Sequence, residues 1–244
     1  MREGGNGGLP LITENIDAPL WPLAGPGVFG KFWMNHHAYV QLGIYDGNVG
    51  NEEENDDGLH YHLDRDEGHL LLLGTGILLH PGNLPGTYKL EGFYHTGDFE
   101  NFETNGQESG NYAIYGIIDQ TIIPALANGP GLNTFAHAGI SPQKDRNTAY
   151  FYADWGLTVI QPLPGREYDT FGAAITYTDF SQDYLDNARA GGDDVTSSET
   201  LVEITYQAKI TPWLTLQPDL QFIFNPHEGD GDAVVFGIRM ESAF

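Results

Sequence analysis

The feature that most constrains the fold of this chain is a two-residue alternation of apolar and polar side chains. The clearest example is residues 202–210, where valine, isoleucine, tyrosine, alanine and isoleucine alternate with glutamate, threonine, glutamine and lysine. Successive side chains of a β-strand point to opposite faces, so this pattern predicts strands with one apolar and one polar face. No long segment shows a convincing helical period, and we therefore expect an all-β fold.

About eleven segments of this kind follow one another, with turn residues between them. The faces are clear in residues 38–46, 87–96, 149–159, 171–180, 202–210, 214–224 and 234–244. Four further stretches are predicted strands with less distinct faces: residues 28–34, 70–79, 112–122 and 132–141. The predicted strand content is far above the usual share for a soluble domain.

The connectors between these strands alternate regularly between short and long. The four long polar connectors are residues 47–68, 98–110, 181–197 and 225–231, and they hold 18 of the 34 acidic residues. An up-and-down antiparallel barrel has this parity, with tight turns at one rim and loops at the other. The parity therefore predicts an antiparallel sheet in which every strand pairs with its neighbours in the sequence.

Two features favour a transmembrane β-barrel over a soluble β-sandwich or jelly roll, whose strands also alternate. The polar face carries charged and amide groups suited to a wet interior, and the apolar face is dense in aromatic residues near strand ends.

The composition excludes several other classes of protein. The sequence contains no run of about 18 apolar residues, which a membrane-spanning helix would need. The net charge of −24 argues against nucleic acid as a partner, and the absence of cysteine excludes disulfides and thiol chemistry.

Motifs for chemistry are weak in this sequence. GPGVFG at residues 25–30 matches a dinucleotide-binding pattern by letter, but it follows no strand and opens no helix. HYHLDRDEGH at residues 60–69 could hold a metal, although a solvated loop explains it better. His137, Asp119 and Ser141 are not paired by any motif, and a carboxylate pair such as Glu91 with Glu203 is best explained by chance. We therefore predict no catalytic residues, no metal site and no cofactor.

Several long blocks resemble the carbohydrate-selective porins of the OprB family. They run from about residue 20 to the C-terminus and include PLAGPGVFGKFW, YVQLGIYDGN, LPGTYKLEGFYHTGDF, GNYAIYGIIDQTI, the stretch from LNTFAHAGISPQKDRNTAYFYADWG to TFGAAITYT, SSETLVEITYQAKITPWLTLQPDLQFIFNP and GDAVVFGIRMESAF. The resemblance implies a sixteen-strand porin of the bacterial outer membrane through which sugars diffuse. This chain then corresponds to about eleven C-terminal strands, with an irregular segment at residues 1–26 and the barrel region at residues 27–244.

The resemblance also implies orientation and partners. Phe244, the terminal aromatic, would be the signal that the barrel assembly machinery reads. The short turns would face the periplasm, and the acid-rich connectors would face outside, towards lipopolysaccharide. Outer-membrane lipid would surround the apolar face, and both a monomer and a trimer remain open. The first residues have no apolar core of a signal peptide, so we expect a mature form, a fragment or a cytosolic protein.

A sugar channel needs polar groups to replace water at sugar hydroxyls and aromatic rings against the sugar faces. The alternation places Tyr39, Tyr45, Tyr150 and Tyr152 on the inner face as stacking surfaces. The predicted polar pore-lining residues are Lys89, Glu91, His95, Asp119, Asp154, Glu203, Gln207, Lys209, Arg239 and Glu241. The alternatives are an outer-membrane β-barrel enzyme and a soluble β-rich carbohydrate-binding protein.

Overall fold

In the part of the chain that the structure describes, one antiparallel sheet of eleven strands forms nearly the whole fold. The computed structural model describes residues 9–16, 18, 25–48, 68–125, 129–227 and 231–243. The strands are β1 (Gly27–Trp33), β2 (Ala38–Asp46), β3 (His69–Leu79), β4 (Gly86–Glu100), β5 (Gln107–Ile123), β6 (Gly131–Ile140), β7 (Ala149–Ile160), β8 (Thr170–Phe180), β9 (Ser198–Thr211), β10 (Leu214–Phe224) and β11 (Ala233–Ser242). Two helices accompany them, α1 (Pro10–Thr13) and α2 (Gln182–Gly191).

The strands lie in the sheet in their order along the chain, and each pairs antiparallel with its neighbours. This confirms the predicted up-and-down arrangement. It also confirms the strand predicted at residues 28–34, which is β1 and whose faces are less distinct in the sequence. Within the described residues, β1 pairs only with β2 and β11 only with β10. The sheet is therefore not closed in this structure.

The two faces of the sheet differ sharply in exposure. One face presents large apolar side chains to the surroundings, such as Leu90 and Trp155, each 53% exposed, and Phe236, 71% exposed. On the other face, Asp154 is 6% exposed and Glu203 is 7% exposed. A soluble protein buries its apolar face, whereas a membrane-spanning strand turns that face towards lipid. We refer to the apolar face as the outer face and to the polar face as the inner face.

The N-terminal part of the described chain lies against the inner face. Leu11 of α1 is fully buried, and it packs with Ile16 against Leu70, Phe93 and other side chains from β3 to β7. A Cβ at Gly139 would lie 2.6 Å from Cδ1 of Leu11, so only glycine at this position lets the leucine approach the sheet so closely. The helix lies within residues 1–26, which the sequence predicts to be irregular.

The connectors alternate between the two rims as predicted, but the predicted alternation in length does not hold throughout, because the β4–β5 connector, residues 101–106, is shorter than the β7–β8 connector, residues 161–169. Two of the predicted long connectors are also more ordered than the sequence suggests. The segment 98–110 is mostly strand, because β4 continues to Glu100 and β5 starts at Gln107. Asn101 closes the remaining turn, since its Oδ1 accepts from the backbone amides of residues 103 and 104 at 3.0 and 2.9 Å. The connector 47–68 lies mostly outside the described residues.

The second difference is α2, which occupies most of the connector 181–197. The hydroxyl of Ser181 caps the helix by accepting from the amide of Tyr184 at 3.3 Å, and Gly192 ends it at a φ of 101°. Leu185 is the buried apolar residue of the helix and packs against Phe180 and Val195, with Tyr184 and Ala188 partly buried in the same cluster. Neither helix in the described parts of the chain has the length and apolar character needed to cross a membrane.

Replacing Ile204 by arginine tests the assignment of the two faces. Ile204 lies in the middle of β9 on the outer face and is 41% exposed. An arginine in contact with lipid near the bilayer midplane should cost about 2–4 kcal/mol of unfolding free energy. Urea unfolding in phospholipid vesicles measures this cost.

The matched control is Gln221→Arg on β10. Gln221 pairs with Glu203, the residue beside Ile204, so it lies at a similar depth but on the inner face. The control variant should lose less than about 1 kcal/mol of unfolding free energy, because a wet inner face hydrates the guanidinium and Glu203 attracts it. Equal losses for the two arginine variants would contradict the assignment.

Candidate pore-lining surface

Polar side chains cross between strands on the inner face, and small residues make room for them. The amide Nε2 of Gln41 on β2 donates to Oε1 of Glu91 on β4 at 3.1 Å. The side chains meet above β3 at Gly74, which pairs with Gln41 on one side and with Glu91 on the other. A Cβ at Gly74 would lie 3.1 Å from both side chains, so a larger residue there would push the pair apart.

A second polar group joins β6 and β7. His137 and Asp154 are cross-strand partners, and Nδ1 of His137 lies 2.9 Å from Oδ2 of Asp154. The hydroxyl of Tyr152 donates to the same carboxylate oxygen at 2.7 Å, and the backbone amide of His137 donates to Oδ1 at 3.0 Å. Asp154 is therefore held in one position by its neighbours and forms part of the wall of the inner face.

Three of the tyrosines predicted as stacking surfaces are occupied by other groups. The ammonium of Lys31 lies 3.5 Å from the ring centroid of Tyr39, and that of Lys144 lies 4.1 Å from the ring centroid of Tyr150. Tyr152 is only 3% exposed. These rings already have a cation over a face or are covered by protein, which leaves little of their surface for a ligand.

His95, a predicted pore-lining residue, has both ring nitrogens bonded to the backbone. Nδ1 accepts from the amide of Gly97 at 3.1 Å, which places the ring proton on Nε2, and Nε2 donates to the carbonyl of Gly47 at 2.7 Å. The ring is 4% exposed and packs edge-on against Phe99. His95 therefore anchors the end of β4 to the chain that leaves β2.

The other predicted residues lie on the inner face and differ in how far they are buried. Asp154 and Glu203 are buried, and Lys89, Glu91, Gln207 and Lys209 are half-buried. Asp119, Arg239 and Glu241 are exposed, and the last two, on the edge strand β11, lie 3.8 Å apart at their charged groups. Phe244 lies outside the described residues, as do residues 60–67 of the histidine-rich motif.

A cavity of about 470 Å³ opens on the inner face near the short connectors, and its lining includes a residue that the sequence analysis missed. Phe135 on β6 lies in the stretch 132–141, where small residues and threonine blur the alternation. The register settles its face, because Phe135 pairs with Asp119 on β5 and with Gly156 on β7. The predicted residue Asp119 also lines the cavity.

Asn15 fastens the N-terminal segment to the half of the inner face near the long connectors. Its Nδ2 donates to Oγ of Ser141 at 3.0 Å and to the carbonyl of Ala149 at 2.8 Å, and its Oδ1 accepts from the amide of Ala149 at 2.9 Å. The amide of Asn111 donates to the carbonyl of Asn15 at 3.2 Å. All of these residues are buried, so residues 9–16 cover this half of the inner face.

At the opposite rim, the carboxylate of Asp169 joins the β7–β8 connector to β9. Oδ2 accepts from Nε of Arg166 at 2.6 Å and from the hydroxyl of Tyr206 at 2.7 Å, and Oδ1 accepts from the amide of Lys209 at 3.0 Å. Burial alone would raise the pKa of Asp169, but the hydrogen bonds from Tyr206, Arg166 and Lys209 outweigh it and lower that pKa below 3.8.

The residues weighed as catalytic candidates do not converge. Ser141 is buried against Asn15 near the long connectors, whereas Asp119 lines the cavity near the short connectors, and His137 is paired with Asp154. Glu91 and Glu203 lie on β4 and β9, five strands apart. Within the described ranges, no group of three or more histidine, aspartate and glutamate residues could hold a metal ion.

Comparison with known proteins identifies relatives over nearly the whole chain. Residues 7–244 match the model of the carbohydrate-selective porin family OprB. The chain is 24% identical to Porin B of Pseudomonas aeruginosa over 257 residues, which cover 92% of this chain and 56% of the relative.

Two solved structures of OprB from Pseudomonas putida share the fold. The high-pH structure has a TM-score of 0.77 at 22% identity, covering 92% of this chain and 60% of that chain. The low-pH structure has a TM-score of 0.57 at 18% identity, covering 89% and 55%. The chain thus spans a little over half the length of these relatives.

Replacing Asn15 by alanine should release the N-terminal segment from the inner face. The change removes three hydrogen bonds and leaves the buried amide and carbonyl of Ala149 without their Asn15 partners, at about 1–3 kcal/mol for each unsatisfied group. Limited proteolysis in detergent should cut the first 26 residues much faster than in the unmodified protein. Glu14→Ala is the control, because Glu14 is the exposed neighbour of Asn15 and should leave the cleavage rate unchanged. Equal cleavage of the two variants would contradict the anchoring role.

Asp169 should give the fold a pH dependence at low pH. A carboxyl group whose pKa is lower in the folded state stabilises the fold above its unfolded-state pKa, and that stability is lost as pH falls through the folded-state pKa. Asp169→Asn should therefore lower the unfolding free energy at pH 7, and its difference from the unmodified protein should shrink below pH 3.8. Urea unfolding at pH 7 and pH 3 measures the difference, and a constant difference would contradict the assignment.

Proposed function

Because the chain belongs to the carbohydrate-selective porin family OprB, we propose that it forms the wall of a passive sugar channel in the outer membrane of a bacterium. The observation that carries the proposal is the contrast between its two faces. The outer face exposes leucine, isoleucine, phenylalanine and tryptophan side chains, which lipid solvates well. The inner face collects carboxylate, amide, hydroxyl and imidazole groups, which water and sugar hydroxyls solvate well.

The residues of the inner face would have different roles in such a channel. The open charged and amide groups would exchange hydrogen bonds with sugar hydroxyls, and these are Lys89, Glu91, Asp119, Gln207, Lys209, Arg239 and Glu241. Asp154 and Glu203 are buried in the wall, so their contribution would be to the polarity of the surface. His95 would hold the rim of β4 through its two backbone hydrogen bonds. Diffusion through this passage needs no catalytic residue and no cofactor.

The N-terminal segment would narrow the passage. Residues 9–16 lie on the inner face of β3 to β7, so a solute moving along that face must pass beside them. We propose that residues 1–26 act as this inner element and that residues 27–244 form the barrel wall. The hydrogen bonds of Asn15 would keep the element in place during transport.

Membrane insertion would require a second partner for β1 and for β11. In hydrocarbon, an unpaired row of backbone amides and carbonyls is too costly to persist. We propose that lipid and lipopolysaccharide surround the closed wall, that the long connectors face outside, and that Phe244 after β11 is the residue which the assembly machinery recognises.

Swelling of proteoliposomes tests the channel. The intact protein is reconstituted into vesicles, which are then diluted into isotonic D-glucose or maltose while light scattering is recorded. A sugar channel should make the vesicles swell, and faster in glucose than in maltose because the larger solute diffuses more slowly through a narrow passage. Vesicles without protein are the control. The absence of swelling in either sugar would contradict the proposed function.

A further inference from the structure

We propose that the cavity near the short connectors is a docking subsite for a pyranose sugar, with Phe135 as its apolar platform and Asp119 as a hydrogen-bond acceptor. The proposal rests on the proposed function and assigns a specific place to the sugar. The cavity measures about 470 Å³, within the range of about 300–1,000 Å³ that is usual for small-molecule sites. Its inner-face lining comes from five strands, β3 to β7, and includes Leu78, Thr87, Asp119, Asn133, Phe135 and Thr158.

The position of Phe135 is set by glycine on the neighbouring strand. A Cβ at Gly156 would lie 2.4 Å from Cζ and 2.6 Å from Cε1 of the Phe135 ring. The ring therefore lies across β7 where that strand has no side chain. His137, two residues along β6, lies beside the ring with centroids 5.6 Å apart. The glycine and the histidine fix an apolar surface at the wall of the cavity.

A hydrogen-bonding group lies directly beside this surface. Asp119 is the cross-strand partner of Phe135, so its carboxylate and the ring leave neighbouring backbones on the same face. In the described part of the chain, Asp119 makes no hydrogen bond or ion pair of its own, so its oxygens are available to donors. On the same two strands, Oγ1 of Thr121 donates to Oδ1 of Asn133 at 2.9 Å, which leaves the amide nitrogen of Asn133 to donate.

The arrangement matches the two surfaces of a pyranose ring. One face of the ring presents C–H groups, which pack on an aromatic side chain, and the equatorial hydroxyls at its edge donate and accept hydrogen bonds. Phe135 offers the aromatic surface, and Asp119 offers the acceptor beside it. The cation over Tyr39 and the burial of Tyr152 leave those rings poorly placed for the same task.

The cavity lies away from residues 9–16, the part of the N-terminal segment that the structure places on the inner face. The segment covers the inner face near the long connectors, where it contacts Leu70, Phe93 and Ser141. The cavity lies at the start of β4 and the end of β5, near the short connectors. Thr158 also lines a smaller recess with Gln207 and Gln217, so polar groups continue from the cavity towards β10.

Binding of two matched probes tests the subsite. The protein is folded in detergent micelles, and saturation-transfer difference NMR is used to titrate D-glucose and D-sorbitol. Sorbitol carries similar hydroxyls but has no ring, so it should bind more weakly than glucose to the unmodified protein. Phe135→Ala should weaken glucose binding about 3- to 10-fold, as expected for the loss of one aromatic contact, and should leave sorbitol binding nearly unchanged. Asp119→Asn should weaken the binding of both probes about 2- to 10-fold.

Two control variants carry the same chemical changes elsewhere. Phe151→Ala removes a phenyl ring from the outer face of β7, where it packs against Tyr177, and Asp193→Asn removes a carboxylate from an exposed connector. Both should bind glucose as the unmodified protein does. The subsite is wrong if Phe135→Ala and Phe151→Ala bind glucose equally, or if the unmodified protein binds sorbitol as tightly as glucose.

The vesicle measurement separates this proposal from the channel. Glucose-dependent swelling without measurable glucose binding at Phe135 would overturn the subsite and leave the channel standing. Glucose binding that depends on Phe135, in vesicles that do not swell, would support the subsite and overturn the channel.

Discussion

The structure depends above all on the hydrogen bonds that pair each strand with its neighbours. In the hydrocarbon of a membrane no water is available to satisfy backbone amides and carbonyls, so each spanning strand needs a partner on both sides. Nine of the eleven described strands have two partners, and β1 and β11 have one each. This constraint dictates the sequential antiparallel order, and the strand geometry then sends alternate side chains to lipid and to the interior.

Glycines shape the inner face as much as its polar groups do, because they leave room for side chains from neighbouring elements. Gly74 lets Gln41 reach Glu91 across an intervening strand, Gly139 admits Leu11, and Gly156 admits the ring of Phe135. These glycines thus make room for a hydrogen bond between strands, for the N-terminal segment and for the aromatic surface of the cavity. Large residues at these positions would force each crossing side chain away from the sheet.

The sequence was sufficient to predict the strands and their faces, because in a membrane the alternation is imposed on every strand by lipid on one side and water on the other. It failed for α2, although Ser181 and Gly192 are ordinary start and stop signals, because the helix is short and only Leu185 and the partly buried Tyr184 and Ala188 form its apolar side. It also failed for Phe135, since the small residues around it hide the alternation until the pairing with Asp119 and Gly156 is known.

Interactions between distant segments could not be predicted from the sequence at all. The contact of Asn15 with Ser141 and Ala149 spans more than a hundred residues, and a single asparagine carries no signal of its partner. His95 was predicted to line the pore from its place on the polar face, yet its neighbours occupy both ring nitrogens. The two-residue period predicts the face of the sheet on which a side chain lies, but only the folded structure shows which groups that side chain contacts.

The central claim is that the inner face lines a water-filled passage while the outer face contacts lipid. The chain has no cysteine, so single cysteines can be placed one at a time along β9, Ser198–Thr211, in the protein reconstituted into vesicles. Their rates of reaction with a small water-soluble thiol reagent measure access to water. Because Glu203 and Thr205 are buried, whereas Gln207 and Lys209 are half-buried on the inner face, we predict fast reaction at 207 and 209 and slow reaction at 204, 206 and 208. Rates without this two-residue period, or with the opposite phase, would contradict the claim.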